Sequence, residues 1–271
     1  MLSFLPIRLL YLFSNLCFII LHHVVGYRKK IVKQNLSNAF SDKTVQERKQ
    51  IEKNFYSHLC DLLVEHIKAL TISPHELLRY TSIDNREILE SFYSHGRSII
   101  LVSGHFGNWE WVAHALALQT SYVICSGYQE LKNKSVDRLA MNLRTRFKRK
   151  VMKHTSLFRH IIMHNGAPQA VALLIDQAPQ CKKNSYWTTF LDQSTAVILT
   201  AAKLAQKCNQ PIFYIKINQI KRGRYQATPI LLTAYPTRLS TQEIAELYTR
   251  KLEEDIVSNP SFWLWSHRRW K

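Results

Sequence analysis

Ser98-Ile-Ile-Leu-Val-Ser-Gly-His-Phe-Gly-Asn-Trp-Glu-Trp111 is the stretch on which the reading of this chain turns. An apolar run rich in β-branched residues ends at Gly104, and His105 and Glu110 follow five positions apart. The run reads as a buried strand. Asn108-Trp-Glu-Trp-Val-Ala-His-Ala-Leu116 reads as the start of a helix, with Asn108 as its N-cap. A strand delivering directly into a helix is the unit of an α/β sheet, and the turns at the carboxyl ends of its strands are where sites form. A histidine in such a turn can take a proton from a hydroxyl, and a nearby carboxylate can hold its ring and stabilise the imidazolium.

Working outward, short apolar runs alternate with helical stretches. Strands are expected over residues 98–102, 121–125, 169–175, 211–217 and 224–230, and helices over 108–118, 132–147, 156–163 and 196–207. This alternation predicts an α/β fold with a central sheet flanked by helices. A late helix over residues 241–258 is stopped by Asn259-Pro260. Upstream, a basic helix spans 27–40, and Ser41-Asp42 opens a long helix to about residue 70. Ile51, Phe55, Leu59, Leu62, Leu63 and Ile67 recur on it at helical spacing, a stripe that suits core packing.

The first acidic residue is Asp42, and residues 9–27 carry no formal charge. As a helix that stretch spans ~28 Å, close to a hydrocarbon core. Arg28, Lys29, Lys30 and Lys33 follow directly, which predicts a cytoplasmic C-terminal flank. A cleaved leader fits less well, because the basic cluster lies on the wrong side and no small-residue cleavage site follows. Ser14, Asn15, His22 and His23 dilute the stretch, so a buried or interfacial helix is the alternative to a spanning one. The expected division is a membrane anchor over 1–27 and a catalytic domain over 28–271, helical over 28–80 and α/β over about 81–271.

With 271 residues, 46% of them hydrophobic, the chain can bury a sizeable core. Its 37 Lys and Arg against 19 Asp and Glu leave a net charge of +18, a surface that seeks anions. Between Asp137 and Asp176 there is no acidic residue, while Arg138, Arg144, Arg146, Lys148, Arg149, Lys150, Lys153 and Arg159 all carry positive charge. The five scattered cysteines, Cys17, Cys60, Cys125, Cys181 and Cys208, fit reduced thiols better than a disulfide or zinc framework.

Several residues keep two readings. Gly104 and Gly107 permit either close approach of a substrate or only a tight turn. Asp176, at the end of Leu173-Leu-Ile-Asp176, either initiates a turn or holds a cationic or hydroxyl group at the sheet edge. Tyr128 opens a loop that leads into a helix carrying Asp137 and Arg144. There is no P-loop, no G-x-G-x-x-G and no G-x-S-x-G elbow. Glu110 and His114 could share a helix face with His105 nearby, but the spacing matches no zinc signature, so no metal is expected. Nucleic-acid binding would use the basic surface but leaves the anchor and the His-Glu turn unexplained.

Taken together these residues resemble the bacterial lipid A late acyltransferases, the lauroyl/myristoyl transferase family. The resemblance rests on Tyr27-Arg-Lys-Lys-Ile-Val-Lys-Gln-Asn-Leu36 with Ala39-Phe40, on Gly104-His-Phe-Gly-Asn-Trp-Glu110 as an H-x4-D/E motif, and on Arg144 after a tyrosine-containing loop. Asp176-Gln177 and the ending Trp263-Leu-Trp-Ser-His-Arg-Arg-Trp-Lys271 complete it, and the short chain looks most like members from the Bacteroidetes group. Gln129 departs from the family's usual arginine, and Asp176-Gln-Ala-Pro-Gln180 departs from Asp-Gln-Asp-x-Gly. The resemblance implies a glycerolipid-acyltransferase-like mixed sheet and O-acylation from a thioester without a cofactor or an acyl-enzyme. His105 would be the base and Glu110 would orient it. Arg144 would stabilise an oxyanion or an acceptor phosphate, or anchor a loop, and Asp176 would fix Arg144. Asn108, Gly107 and Tyr128 would line the substrate site. The donor would be the acidic acyl carrier protein, met by the basic face, and the acceptor a lipid A precursor at the cytoplasmic side of the inner membrane. Another membrane lipid as acceptor, and a non-catalytic basic membrane-binding module, are the competing readings.

Overall fold

The structure is a computed structural model that describes residues 2–130, 132–179 and 185–270. Helix α1 (Ile7–Phe18) continues without a break into a π-helical stretch, Ile19–Val25, and ends at Gly26, whose φ of 61° lies in the left-handed region that favours glycine. Helices α2 (Lys29–Ala39) and α3 (Val45–Ala69) follow. The long helix begins later than Ser41-Asp42, because Thr44 and Glu47 form a reciprocal capping box. Of its expected core stripe, Phe55 and Leu62 are buried, but Leu63 points outward at 50% exposure.

Helix α4 (Pro74–Tyr80), strand β1 (Thr81–Ile83) and helix α5 (Glu87–Ser94) lead into the alternating core. That core comprises β2 (Ile99–Ser103), α6 (Trp109–Gln119), β3 (Val123–Tyr128), α7 (Lys134–Arg144), β4 (Lys150–Lys153), α8 (His154–Met163) and β5 (Gln169–Leu174). After the hairpin strands β6 (Tyr186–Phe190) and β7 (Gln193–Val197) come α9 (Thr200–Cys208), β8 (Ile212–Lys221), β9 (Arg224–Thr233) and α10 (Thr241–Ser258).

The main sheet has seven strands in the order β1-β9-β8-β2-β5-β3-β4. It is mostly parallel, and β8 meets β9 antiparallel, so the expected mixed α/β sheet flanked by helices is what forms. The hairpin replaces the start of the helix expected from Ala196. Leu191 and Asp192 take φ of 51° and 59°, the left-handed pair a two-residue turn requires, without the Asn-Gly that usually signals one. Strand β2 is buried along most of its length because it lies between β8 and β5. Its register with β5, Val102 opposite Leu173 and Ser103 opposite Leu174, brings the residues that follow each strand to one spot on the sheet's carboxyl edge.

The N-terminal helix is fastened to the rest of the molecule. Ile7 and Leu10 belong to the core, the Tyr11 hydroxyl donates to Glu65 (2.7 Å), and Ser14 donates to Asp61 (2.5 Å). Among the described residues Cys17, Cys60, Cys125 and Cys208 are free thiols; Cys181 lies outside them.

Candidate active site

His105 stands in the turn between β2 and α6, and Asp176 stands two residues beyond β5. The strand register closes a gap of 71 positions in sequence: His105 Nδ1 and Asp176 Oδ1 are 2.7 Å apart, and the His105 backbone N–H donates to Asp176 Oδ2 at 2.8 Å. An ionised carboxylate only accepts, so Nδ1 carries the proton and Nε2 is left as the basic nitrogen. The Trp263 indole donates to Asp176 Oδ2 at 2.8 Å. Asp176 has no side-chain exposure, whereas 14% of the His105 side chain is open.

Burial alone would drive the imidazole toward its neutral form. The charge and hydrogen bond of Asp176 outweigh it and raise His105 above the ordinary value of 6.5. Burial likewise opposes the Asp176 carboxylate, but His105 and the donors around it hold Asp176 well below the usual carboxylate range.

Glu110 does not orient His105, as the motif spacing suggested. It lies in the first turn of α6 and accepts from Arg144 Nε (2.8 Å) and Arg149 Nη1 (3.0 Å). Asp176 in turn does not fix Arg144; the carboxylates have exchanged the expected partners. Residue 110 sits on the helix side that faces the end of α7 and the start of β4, where both arginines arise. Burial opposes its charge, but Arg149 and Arg144 hold Glu110 well below the usual carboxylate range. Arg144 is 36% exposed at its side chain, and its charge is felt at His105. Glu110 and His114 both meet the Arg149 guanidinium, which occupies the place where the pair could have held a metal.

Asn108 and Gly107, expected to line the substrate site, are both buried inside the turn. Asn108 is fully buried: its Oδ1 caps α6 by accepting from Trp111 N–H, and its Nδ2 donates to Glu65 Oε2 at 2.6 Å. Gly107, at φ 55°, is packed so closely that an added β-carbon would sit 2.8 Å from Ile217 Cγ2, which is the tight-turn reading. At Gly104 an added β-carbon would meet Leu252 Cδ1 at 2.6 Å. Tyr128 ends β3 on the same carboxyl edge as His105, with β5 between its strand and β2.

The C-terminal segment braces the turn that carries His105. Gly107 N–H donates to Phe262 O (3.0 Å), Leu264 N–H donates to His105 O (3.1 Å), and Phe106 pairs with Trp263. These roles of Trp263 carried no local signal beyond the tryptophan-rich ending. Sequence reasoning also missed Trp109, whose ring meets His105 edge-on at 5.0 Å and tilts against His66 at 5.8 Å. Arg149 was read as part of a surface patch; only 4% of its side chain is exposed.

Glutamine at Glu110 should therefore act first on stability. It leaves Arg149 buried without its counter-charge, a loss of ~3–5 kcal/mol by analogy with broken buried pairs. Denaturant unfolding of wild type and Glu110→Gln measures it. Because the folded pKa of Glu110 is depressed, this contribution is full above the unfolded value of about 4.5 and is lost progressively as pH falls from there toward the folded one. Wild-type stability should therefore decline steadily below about pH 4.5, and that of Glu110→Gln less steeply.

A buried carboxylate holding a histidine at the carboxyl edge of an α/β sheet is an arrangement able to take up and return a proton. The model of the bacterial lipid A biosynthesis acyltransferase family matches residues 1–271, and the chain belongs to that family. A comparison with curated proteins finds no match.

Proposed function

We propose that this lipid A-type acyltransferase moves a fatty acyl group from the thioester of acyl carrier protein to a hydroxyl of a lipid A precursor, at the cytoplasmic face of the inner membrane. Residues 1–27 serve as the membrane element and 28–271 as the acyltransferase unit. The observation that carries the reading is the His105–Asp176 pair, which engages Nδ1 and leaves Nε2 as the basic nitrogen of the neutral ring. Nε2 takes the acceptor proton as the hydroxyl oxygen attacks the thioester carbonyl. The tetrahedral adduct collapses, the C–S bond breaks, and the imidazolium returns the proton to the departing thiolate. Asp176 stabilises the imidazolium between these steps. Arg144, steadied through Nε by Glu110, offers its remaining donors to the oxyanion or to an acceptor phosphate.

The test is purified full-length protein with acyl carrier protein thioester and lipid A precursor in mixed micelles, read by mass spectrometry. The precursor should gain the mass of one acyl chain. Transfer to a lysophospholipid and none to the precursor would reject the acceptor.

The basic surface that could meet an acidic carrier is smaller than its sequence. Arg146 donates to the carbonyls of Ala69 and Ile72 near the end of α3, and Arg149 is buried. Lys148 and Lys150 remain exposed, with Arg138 and Arg159. Charge reversal at Lys148 and Lys150 should raise KM for the carrier several-fold and leave kcat unchanged. The difference should fade with salt, since the screening length is ~10 Å at 0.1 M. A KM that does not move would place the carrier elsewhere.

A further inference from the structure

The family-consistent picture of the N-terminus is an anchor, and Ile7–Val25 is long and apolar enough to cross a bilayer, with 17% of it buried. We infer that this helix does not cross the bilayer but lies in its interface along its whole length, its outer stripe immersed in lipid and its inner face locked to α3. This rests on the proposal that the N-terminus meets the membrane, and not on the reaction assigned to the site.

The locking contacts run from one end to the other in antiparallel order. Thr71 donates to Ser3 O (2.5 Å) and Lys68 to Leu5 O (3.2 Å). Tyr11 then meets Glu65, Ser14 meets Asp61, and His22 lies 3.6 Å from Glu52. Arg222, in the turn between β8 and β9, joins the same seam by donating to Asn15 Oδ1 (2.8 Å) and to both Asp61 oxygens. Gly223 lies against the Tyr11 ring so closely that a β-carbon there would sit 2.0 Å from the Tyr11 hydroxyl.

A helix that spans must have neighbours able to share its depth. Here α3 lies along it and the β8–β9 turn lies beside its middle, where Arg222 and Gly223 meet Asn15 and Tyr11, and that turn exposes Lys221 and Arg224. Those side chains would stand in hydrocarbon if α1 spanned, where unpaired charge is disfavoured. The opposite face of α1 has the reverse character. Leu9, Leu12, Phe13, Leu16, Ile19, Ile20 and Val24 are between 44% and 77% exposed and recur at helical spacing. Arg8 and the cluster Arg28, Lys29 and Lys30 flank this stripe with charge suited to anionic headgroups. An apolar stripe backed by a polar, protein-bound face, with cations at both ends, is the pattern of a helix lying in the plane of a membrane.

Deleting the helix would uncover Asp61 and Glu65, so the test keeps the full chain. A polar tag is placed before Met1, and the protein is expressed in cells from which spheroplasts are made. Protease added outside should leave the tag intact until the membrane is broken, because tag and catalytic body share one side. Cleavage of the tag in intact spheroplasts would overturn the inference and keep the membrane reading. In a second arm, purified protein carrying a probe at Leu9→Cys, Leu16→Cys or Val24→Cys, with Cys17 replaced by serine, is bound to phosphatidylglycerol–phosphatidylethanolamine vesicles containing brominated lipids. All three probes should be quenched at the same shallow depth. Greatest depth at residue 16 alone would overturn the in-plane geometry. No quenching at any position, whether the protein stays free or pairs with a second copy through the stripe, would overturn the membrane reading as well.

Discussion

Alanine in place of His105 should leave a folded protein whose acyl transfer falls by ~10²–10⁴-fold, the usual worth of a positioned general base. Some stability should be lost, because Asp176 gives up the imidazole that offsets its burial, but the turn keeps its other ties. The residue 105 N–H still donates to Asp176, its carbonyl still accepts from Leu264, and Asp176 keeps the Trp263 indole. Turnover measured beside an unfolding curve separates the two effects. A folded variant with near-normal turnover would remove His105 from the chemistry.

Asparagine at Asp176 should be comparably damaging, for a different reason. The shape of the site is kept, but the charge that stabilises the imidazolium and fixes the Nδ1–H tautomer is gone. In the serine-protease arrangement the corresponding change costs ~10⁴-fold. Glu110→Gln should differ in kind, with a large loss of stability and a turnover defect routed through Arg144, which sits 2.8 Å from Glu110. If Glu110→Gln shifted the histidine titration as strongly as Asp176→Asn, the division of labour between the two carboxylates would be wrong.

The local elements of this site were legible in its sequence because they obey local rules. The apolar run of β2, the stop at Gly104 and the Asn108 cap of α6 each follow from the chain within a few residues. The same holds for α10, whose bounds match the expectation from residue 241 to 258. The long-range parts were less so. His105 has a carboxylate five positions away and another 71 positions away, and spacing favours the first. Only the parallel register of β2 with β5 shows that the second is the partner. Sequence also treated the arginines after α7 as one basic run, although Arg146 and Arg149 fold inward to carbonyls and to Glu110. Burial of a charge depends on what lies opposite it, which a single strand of sequence does not contain. The β6–β7 hairpin was missed because Leu191-Asp192 lacks the usual turn residues, and Ala196 looked helical.

Whether Asp176 sets the protonation of His105 can be read from a nitrogen-15 NMR titration of the histidine ring. For wild type the expected result is a titration above the ordinary 6.5, with the Nδ1–H tautomer once the ring is deprotonated, and activity should rise as pH climbs through that titration. The raised pKa also means that the stability gained from the charged pair is present below the unfolded value and fades as pH passes the folded one. In Asp176→Asn the titration should fall, and in Glu110→Gln it should stay closer to wild type. A His105 that carries its neutral proton on Nε2, or whose titration Asp176→Asn leaves unmoved, would contradict the account.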